Sequence, residues 1–458
     1  MPNAAFGRGP GVKPPSSDAG YPLTQRDNLD DLAGFRLGLP ISRRQFLSDV
    51  ARLADRLPTQ PYVVNLCSDR YHFMVGFAAA LRREQVTLLP ANDLGTTLVA
   101  LASEYPDVYA LADSTNPPLP VLPYPEALGP PLEAIDVPVL PAKQPAVVLF
   151  TSGTTGRPKR IAKSWDVLVC SARSAGSRLA MANFRGGAII GTVPHQHSYG
   201  LESVILLALE HGLAVMAERP FYPADIAAAI EAAPRPRILV TTPVHIRALV
   251  AERHAQPEVD LILSATAPLS AELAVKAEEC FSAPLIEIYG STESGQIATR
   301  RTAREAEWRC LDDVLLQQQD GRSLAVGRAV PAPTLLEDMI EHTGPDTFVL
   351  AGRSAELVDV AGKHTTLSFL NHQLLSIEGV QDGIFVMPDG DASYVRRLAA
   401  FVVAPGLRAE AVLSALRGRI DPAFLPRPLI LVDALPRNSV GKLPRDAVLQ
   451  LMRQSRIL

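Results

Sequence analysis

Ten consecutive residues carry the first chemical signal: Phe150-Thr151-Ser152-Gly153-Thr154-Thr155-Gly156-Arg157-Pro158-Lys159. Four hydroxyl residues and two glycines fall within six positions. Glycines let the backbone turn and expose N–H groups, hydroxyls add donors, and a lysine supplies a point charge. Such a set suits a polyphosphate. The arrangement is not the Walker type, because Gly153 and Gly156 are too close together and Pro158 precedes Lys159. A plain Ser/Thr/Gly surface loop between strand and helix is the competing reading. His195 and His197 alternate without a third ligand in reach. Cys67, Cys170, Cys280 and Cys310 lack metal or redox spacing and read as small buried apolar residues. Lysine is scarce, with seven against 37 arginines, so each lysine merits inspection.

The segment FTSGTTGRPKR resembles the phosphate-binding signature of the adenylate-forming superfamily, which comprises acyl-CoA synthetases, peptide-synthetase adenylation domains and luciferases. Arg160 stands where that signature has glycine, beyond the phosphate contacts. Further segments follow in the family's order. VPHQHSYGLES (193–203) is similar to the stretch that closes the acid pocket, which puts His197 at that position with Tyr199 and Gly200 behind it. LSATAPLSAEL (263–273) resembles the turn bordering the base, with Ala265 and Thr266 at its small positions. IYGSTESGQIATR (288–300) is the most specific. The resemblance places Tyr289 on the adenine, Gly290 beside the acid, Thr292 near the α-phosphate and Glu293 on Mg²⁺. An aromatic face suits a base, and a hard carboxylate oxygen suits Mg²⁺. Asp338 and Arg353 match the ribose-holding pair, although Leu336-Glu337 replaces the usual Thr-Gly. A carboxylate on a helix surface is the alternative for Asp338. Gly362-Lys363 resembles the loop that enters the site during thioester formation. LPRNSVGKLPRDAV (435–448) resembles the C-terminal lysine loop, with Lys442 reaching the adenylation site.

The resemblance implies a two-step reaction. A carboxylate attacks the α-phosphorus of ATP and displaces pyrophosphate. Thr151 to Gly156 with Lys159 hold the phosphates, Glu293 carries Mg²⁺, and Lys442 bridges the carboxylate and the phosphate–ribose oxygens. The thiol of CoA or of a 4′-phosphopantetheine arm then takes the acyl group, after the small domain rotates. NLCSDRYHFMVGFAAAL, TTPVHIRAL and STESGQIATR are similar to bacterial ligases of aryl-polyene and xanthomonadin pigment pathways. Those load an aryl or acyl acid such as a hydroxybenzoate onto acyl carrier protein or CoA. The alternatives are a medium-chain fatty acyl-CoA synthetase and a non-catalytic adenylate-binding regulatory protein. Retention of Lys159, Glu293 and Lys442 speaks against the latter.

Those residues need a scaffold, and the chain of 458 residues is long enough for two or three domains. Hydrophobic residues make up 47% and charged residues 20%, which excludes disorder. A net charge of −4 advertises no nucleic-acid surface. LESVILLALEHGLAVM, the longest apolar run, is interrupted by Glu202, Glu210 and His211, so no membrane span is predicted. The first residues show no secretory signal, and the expected compartment is the cytoplasm. Strand-like runs (PYVVNLC, QVTLLP, VYALAD, PAVVLF, GAIIGTVP, LAVMAE, RILVTTP, LILSAT, LIEIYG) alternate with Ala/Leu-rich helical stretches. That alternation predicts an α/β fold of parallel sheets covered by helices. After about residue 310 short strands with glycine turns predict local antiparallel pairing. The expected division is a flexible tail over 1–30, a large nucleotide-binding domain over 31–353 and a small mobile α+β lid over 354–458 that carries the lysine loop.

Overall fold

The computed structural model describes residues 20–114, 116–151, 159–252, 254–353, 357–360, 363–387, 398–438 and 443–455. Each of the nine strand-like runs named above contains a strand. Three consecutive residues, Ile238, Leu239 and Val240, are wholly buried on the Arg237–Thr241 strand. A strand covered on both faces needs such an unbroken apolar run.

The strands assemble into two principal sheets. One has six strands in the order Lys159–Ser164, Pro145–Thr151, Val86–Leu89, Tyr62–Asn65, Val108–Ala112 and Val121–Pro123. Its neighbours run parallel except at Lys159–Ser164, which folds back antiparallel on Pro145–Thr151. The second sheet has eleven strands. Its middle is parallel, from Leu285–Ser291 through Leu261–Ser264, Arg237–Thr241, Ala188–Gly191 and Ala214–Met216 to Leu32–Arg36. Beyond Leu285–Ser291 the pairing turns antiparallel, through Gly295–Arg300, Trp308–Cys310 and Thr347–Arg353 to Asp338–His342.

Helices fill the space between the sheets. Arg70–Arg82 packs on strands of both, and eleven of its thirteen residues are buried. Asp69 caps it by accepting from the His72 N–H at 3.0 Å, which satisfies one of the orphan donors of the first turn. Trp165–Arg178 likewise touches both sheets. One core cluster accordingly mixes Val63 and Leu149 of the first sheet with Ile189 and Leu263 of the second. The result is a sheet–helix–sheet layering.

Beyond residue 357 the architecture is smaller and mixed. A three-stranded sheet joins Asp382–Val386 antiparallel to Ala399–Val403, which pairs in parallel with Leu429–Leu431. Helices Leu367–Leu375, Ala409–Arg417 and Arg445–Gln454 accompany it. Two apolar clusters here are drawn entirely from residues past 357. The molecule thus has a large α/β N-terminal domain and a smaller C-terminal one. No helix among the described residues is long and apolar enough to cross a membrane.

Two local expectations are corrected. The glycine-rich loop joins two antiparallel strands rather than a strand and a helix. Asp338 opens a strand and is not a helix-surface carboxylate.

Candidate active site

The phosphate-loop residues Ser152, Gly153, Thr154, Thr155 and Gly156 lie outside the described residues, but the neck of the loop does not. Lys159 pairs across the hairpin with Thr151. From that neck the Lys159 Nζ lies 3.9 Å from Oε1 of Glu293, with the side chains 56% and 30% exposed. A pair this open contributes little to stability. Lys159 is more than half exposed and Glu293 about a third, so a phosphate or its cation can still meet both.

Glu293 sits at the tip of a tight turn. The Ser291 N–H donates to Ser294 Oγ and the Ser294 N–H to Ser291 Oγ, each at 3.1 Å, which fixes the four-residue bend. Gly290 is required just before it. A Cβ there would fall 2.1 Å from the Gly295 carbonyl oxygen. Gly295, at φ +74°, closes the turn in the left-handed region that favours glycine. Thr292 and Glu293 are thereby presented by the backbone and not by flexible side chains.

On the other side of this turn the Tyr289 hydroxyl donates to Oδ2 of Asp338 at 2.6 Å. Its ring packs on Trp308 and Phe348, with centroids 5.5 and 5.8 Å away. Asp338 faces Arg353 across adjacent antiparallel strands. The two ribose candidates and the base candidate therefore share one corner of the large sheet.

A cavity of about 80 Å³ opens next to the turn, and His197, Tyr199, Thr266 and Thr292 all line it. Thr292 thus belongs to the wall of this cavity and to the turn that carries Glu293. Thr266 holds φ +79°, a strained backbone for a β-branched residue, where the strand Leu261–Ser264 has just ended. Ala265 beside it is buried. The Tyr199 hydroxyl donates to the Thr241 carbonyl at 3.2 Å, and burial pushes its phenol well above the ordinary range. Tyr199 is a neutral, fixed wall. Among the described residues no group of three or more His, Cys, Asp or Glu side chains is arranged to hold a metal ion.

The sequence profile of the AMP-binding enzyme family matches residues 44–348, well over half of the chain. The chain belongs to the AMP-binding enzyme family. It is similar to the 4-coumarate–CoA ligase of Rhodobacter capsulatus, 33% identical over 300 residues that cover 64% of this chain and 74% of the relative. The indoleacetate–CoA ligase of Aromatoleum aromaticum is 25% identical over 67% of each chain. Among solved structures, ATP-bound MatB from Rhodopseudomonas palustris superimposes with a TM-score of 0.79 at 18% identity, covering 94% of this chain and 97% of that one. The o-succinylbenzoate CoA synthetase of Bacillus subtilis, in complex with its acyl-adenylate intermediate, gives 0.77 at 17% identity over 92% and 95%. These structures share the fold of this AMP-binding enzyme. Its family and sequence relatives make it an AMP-forming acid–thiol ligase.

Several wall residues of the AMP-binding enzyme escaped the sequence reading. Leu89, Leu149, Phe150, Gln196 and Ser198 also line the cavity. Leu89 ends one strand and Phe150 lies near the end of its neighbour, so alternation along those strands would have offered them as inward-facing candidates. Gly200 packs closely against the chain. It does not line the cavity, and a Cβ there would fall 2.1 Å from the Pro194 carbonyl oxygen. Gly290 immediately precedes the turn that carries Thr292. His195 is structural. Its Nε2 lies 2.9 Å from the Cys67 carbonyl and its ring packs on Phe73, while burial and nearby Arg70 hold its pKa down at about 3. Arg70 itself donates to the carbonyls of Gly191, Val193, Met216 and Glu218, which anchors the strand ends from which the His197 segment departs. Lys363 opens the strand Lys363–Thr366 opposite Val360. Gly362 and Lys442 lie outside the described residues.

Proposed function

We propose that this enzyme uses ATP with Mg²⁺ to convert an aryl carboxylic acid, such as a hydroxybenzoate, into its acyl adenylate, and then passes the acyl group to a phosphopantetheine thiol of an acyl carrier protein or of CoA. One observation carries the reading. Thr292, in the wall of the cavity that His197 and Tyr199 line, is the immediate neighbour of Glu293, which meets Lys159. An acid in the cavity and a nucleotide on the turn would then lie side by side.

The roles follow from chemistry. Lys159 and the loop hydroxyls take the outer phosphates. Glu293 offers an open carboxylate to the Mg²⁺ that accompanies ATP. Tyr289 lays its ring along the base while its hydroxyl orients Asp338 toward the ribose. Lys442 supplies a cation between the carboxylate and the α-phosphate. Phosphoryl-type transfer of this kind is governed by positioning and charge stabilisation. Residues 354–458 act as a lid that brings in Lys442 for the first step and Gly362-Lys363 for the second.

The cavity is walled by the aromatic side chains of Phe150 and Tyr199 together with His197, surfaces that suit the face of an aryl ring. Relatives named for 4-coumarate and indoleacetate support an aryl substrate. The test is a screen of acid-dependent ATP–pyrophosphate exchange over benzoates, cinnamates and fatty acids, repeated for thioester formation with CoA and with holo-carrier protein. Exchange with benzoates and thioester on the carrier are the expected results. Exchange confined to fatty acids would overturn the aryl assignment.

A further inference from the structure

Lys163 lies four residues beyond Lys159 on the same strand and on the same face. Unlike Lys159 it is buried, with its side chain 2% exposed, and its Nζ donates to Oε1 of Glu202 at 2.6 Å. Glu202 is buried as deeply, at 3%. Its Oε1 also accepts from Ser198 Oγ at 2.6 Å, and its Oε2 from the Gln296 N–H at 3.3 Å and from Ser171 Oγ at 3.5 Å. The neighbouring Ser203 hydroxyl accepts from Gln296 Nε2 at 3.0 Å. A Cβ on Gly295 would come within 3.5 Å of Oε2 and 3.6 Å of the lysine Nζ, so the end of the Thr292–Glu293 turn rests on the pair. Glu202 also lies in a stretch, Leu201–Leu206, wound with the wider π pitch, a local irregularity that recurs at functional sites.

This arrangement joins three separate pieces of the site on one carboxylate. Ser198 belongs to the acid-cavity wall between His197 and Tyr199. Gln296 follows the turn that bears Thr292 and Glu293. Lys163 continues the strand that begins at Lys159. Stability alone is a poor reason for the pair. Removing two charges from water offsets most of their mutual attraction, and apolar pairs of similar size often serve folding as well. Fixing one geometry among several is the role for which buried polar hubs are better suited.

We propose that Lys163 and Glu202 are positioning residues that lock the acid wall to the nucleotide turn, so that the acid oxygen and the α-phosphorus meet in line. The assignment rests on the adenylation reading above. Neither residue touches substrate; both act through Ser198, Gly295 and Gln296.

The test pairs two variants. Lys163→Met/Glu202→Gln removes both charges together and leaves neither buried alone. Its melting temperature and its stabilisation by AMP are expected to stay near those of the parent. Its kcat for acid-dependent ATP–pyrophosphate exchange should fall by about 10²-fold, the scale of a 1 Å misplacement, with the KM for ATP within about twofold. A purely structural pair would not produce that split. Ser198→Ala cuts only the arm to the acid wall, without touching the interior charges, and should lower kcat by about tenfold, the equivalent of one hydrogen bond. A folded double variant that exchanges within about threefold of the parent would overturn the proposal. If the double variant does not fold, parental kcat in Ser198→Ala overturns it instead. A parent that exchanges with no acid at all would sink the adenylation reading itself, and this assignment with it.

Discussion

Lys159 Nζ stands 3.9 Å from Glu293 Oε1, although one residue belongs to the six-stranded sheet and the other to a turn at the edge of the eleven-stranded sheet. The contact joins two motifs that are far apart in the chain. It sets a cation beside an acid at the neck of the phosphate-loop hairpin.

Because Lys159 is more than half exposed and its partner is 3.9 Å away, Lys159→Ala should leave the melting temperature almost unchanged, with a stability loss below about 1 kcal/mol. The KM for ATP should rise by about tenfold or more, as one charge-assisted contact is lost. Glu293→Gln should shift the Mg²⁺ dependence of exchange to higher concentrations. Identical Mg²⁺ titrations for the two proteins would remove Glu293 from the cation site.

Tyr289→Phe keeps the ring on Trp308 and Phe348 but deletes the 2.6 Å bond to Asp338. A hydrogen bond to a charged group contributes about 1.5–3 kcal/mol. Calorimetric titration with AMP should therefore show affinity weakened by about tenfold, with the fold intact. Parental affinity would mean that Asp338 needs no orientation by the phenol.

Lys442→Ala should reduce acid-dependent exchange by about 10²–10³-fold, the scale for removing a preorganised stabilising group. Thioester formation from a supplied acyl adenylate should continue. Unchanged pyrophosphate release in the variant would exclude Lys442 from the first step.

A pH-dependent stability term is expected from Glu210. The residue is buried, Arg173 Nε donates to its Oε2 at 2.7 Å, and burial lifts its pKa to about 7. Between the ordinary value of 4.5 and about 7, the folded chain holds a proton that the unfolded chain has released. Folding stability from this group is therefore fully present at low pH, declines across that window and stays low above it. The difference amounts to up to about 3 kcal/mol. Denaturant titrations at pH 5 and pH 8 should show Glu210→Gln losing less stability on alkalinisation than the parent. Equal losses would refute the assignment.

Many candidate site residues could be named from sequence because they sit in short contiguous motifs. Tyr289 lies near a strand end, and Thr292 and Glu293 lie in the turn that follows it, so one short segment carries all three. The alternating sheets were legible for a similar reason, since a strand buried on both faces leaves an unbroken apolar run such as Ile238 to Val240. Strand Leu315–Gln319 gave no such signal, being polar and largely exposed. The Lys163–Glu202 pair was invisible because its partners are brought together by tertiary packing, and Glu202 read as an interruption of an apolar run. The steric demand at Gly200 was equally invisible, because the Pro194 carbonyl that leaves no room there for a side chain is placed by the folded backbone.

The cavity draws Leu89 and Leu149 from one principal sheet, while Thr266 and Thr292 adjoin strands of the other. A molecule lodged there would touch both sheets at once and tie them together across the seam between them.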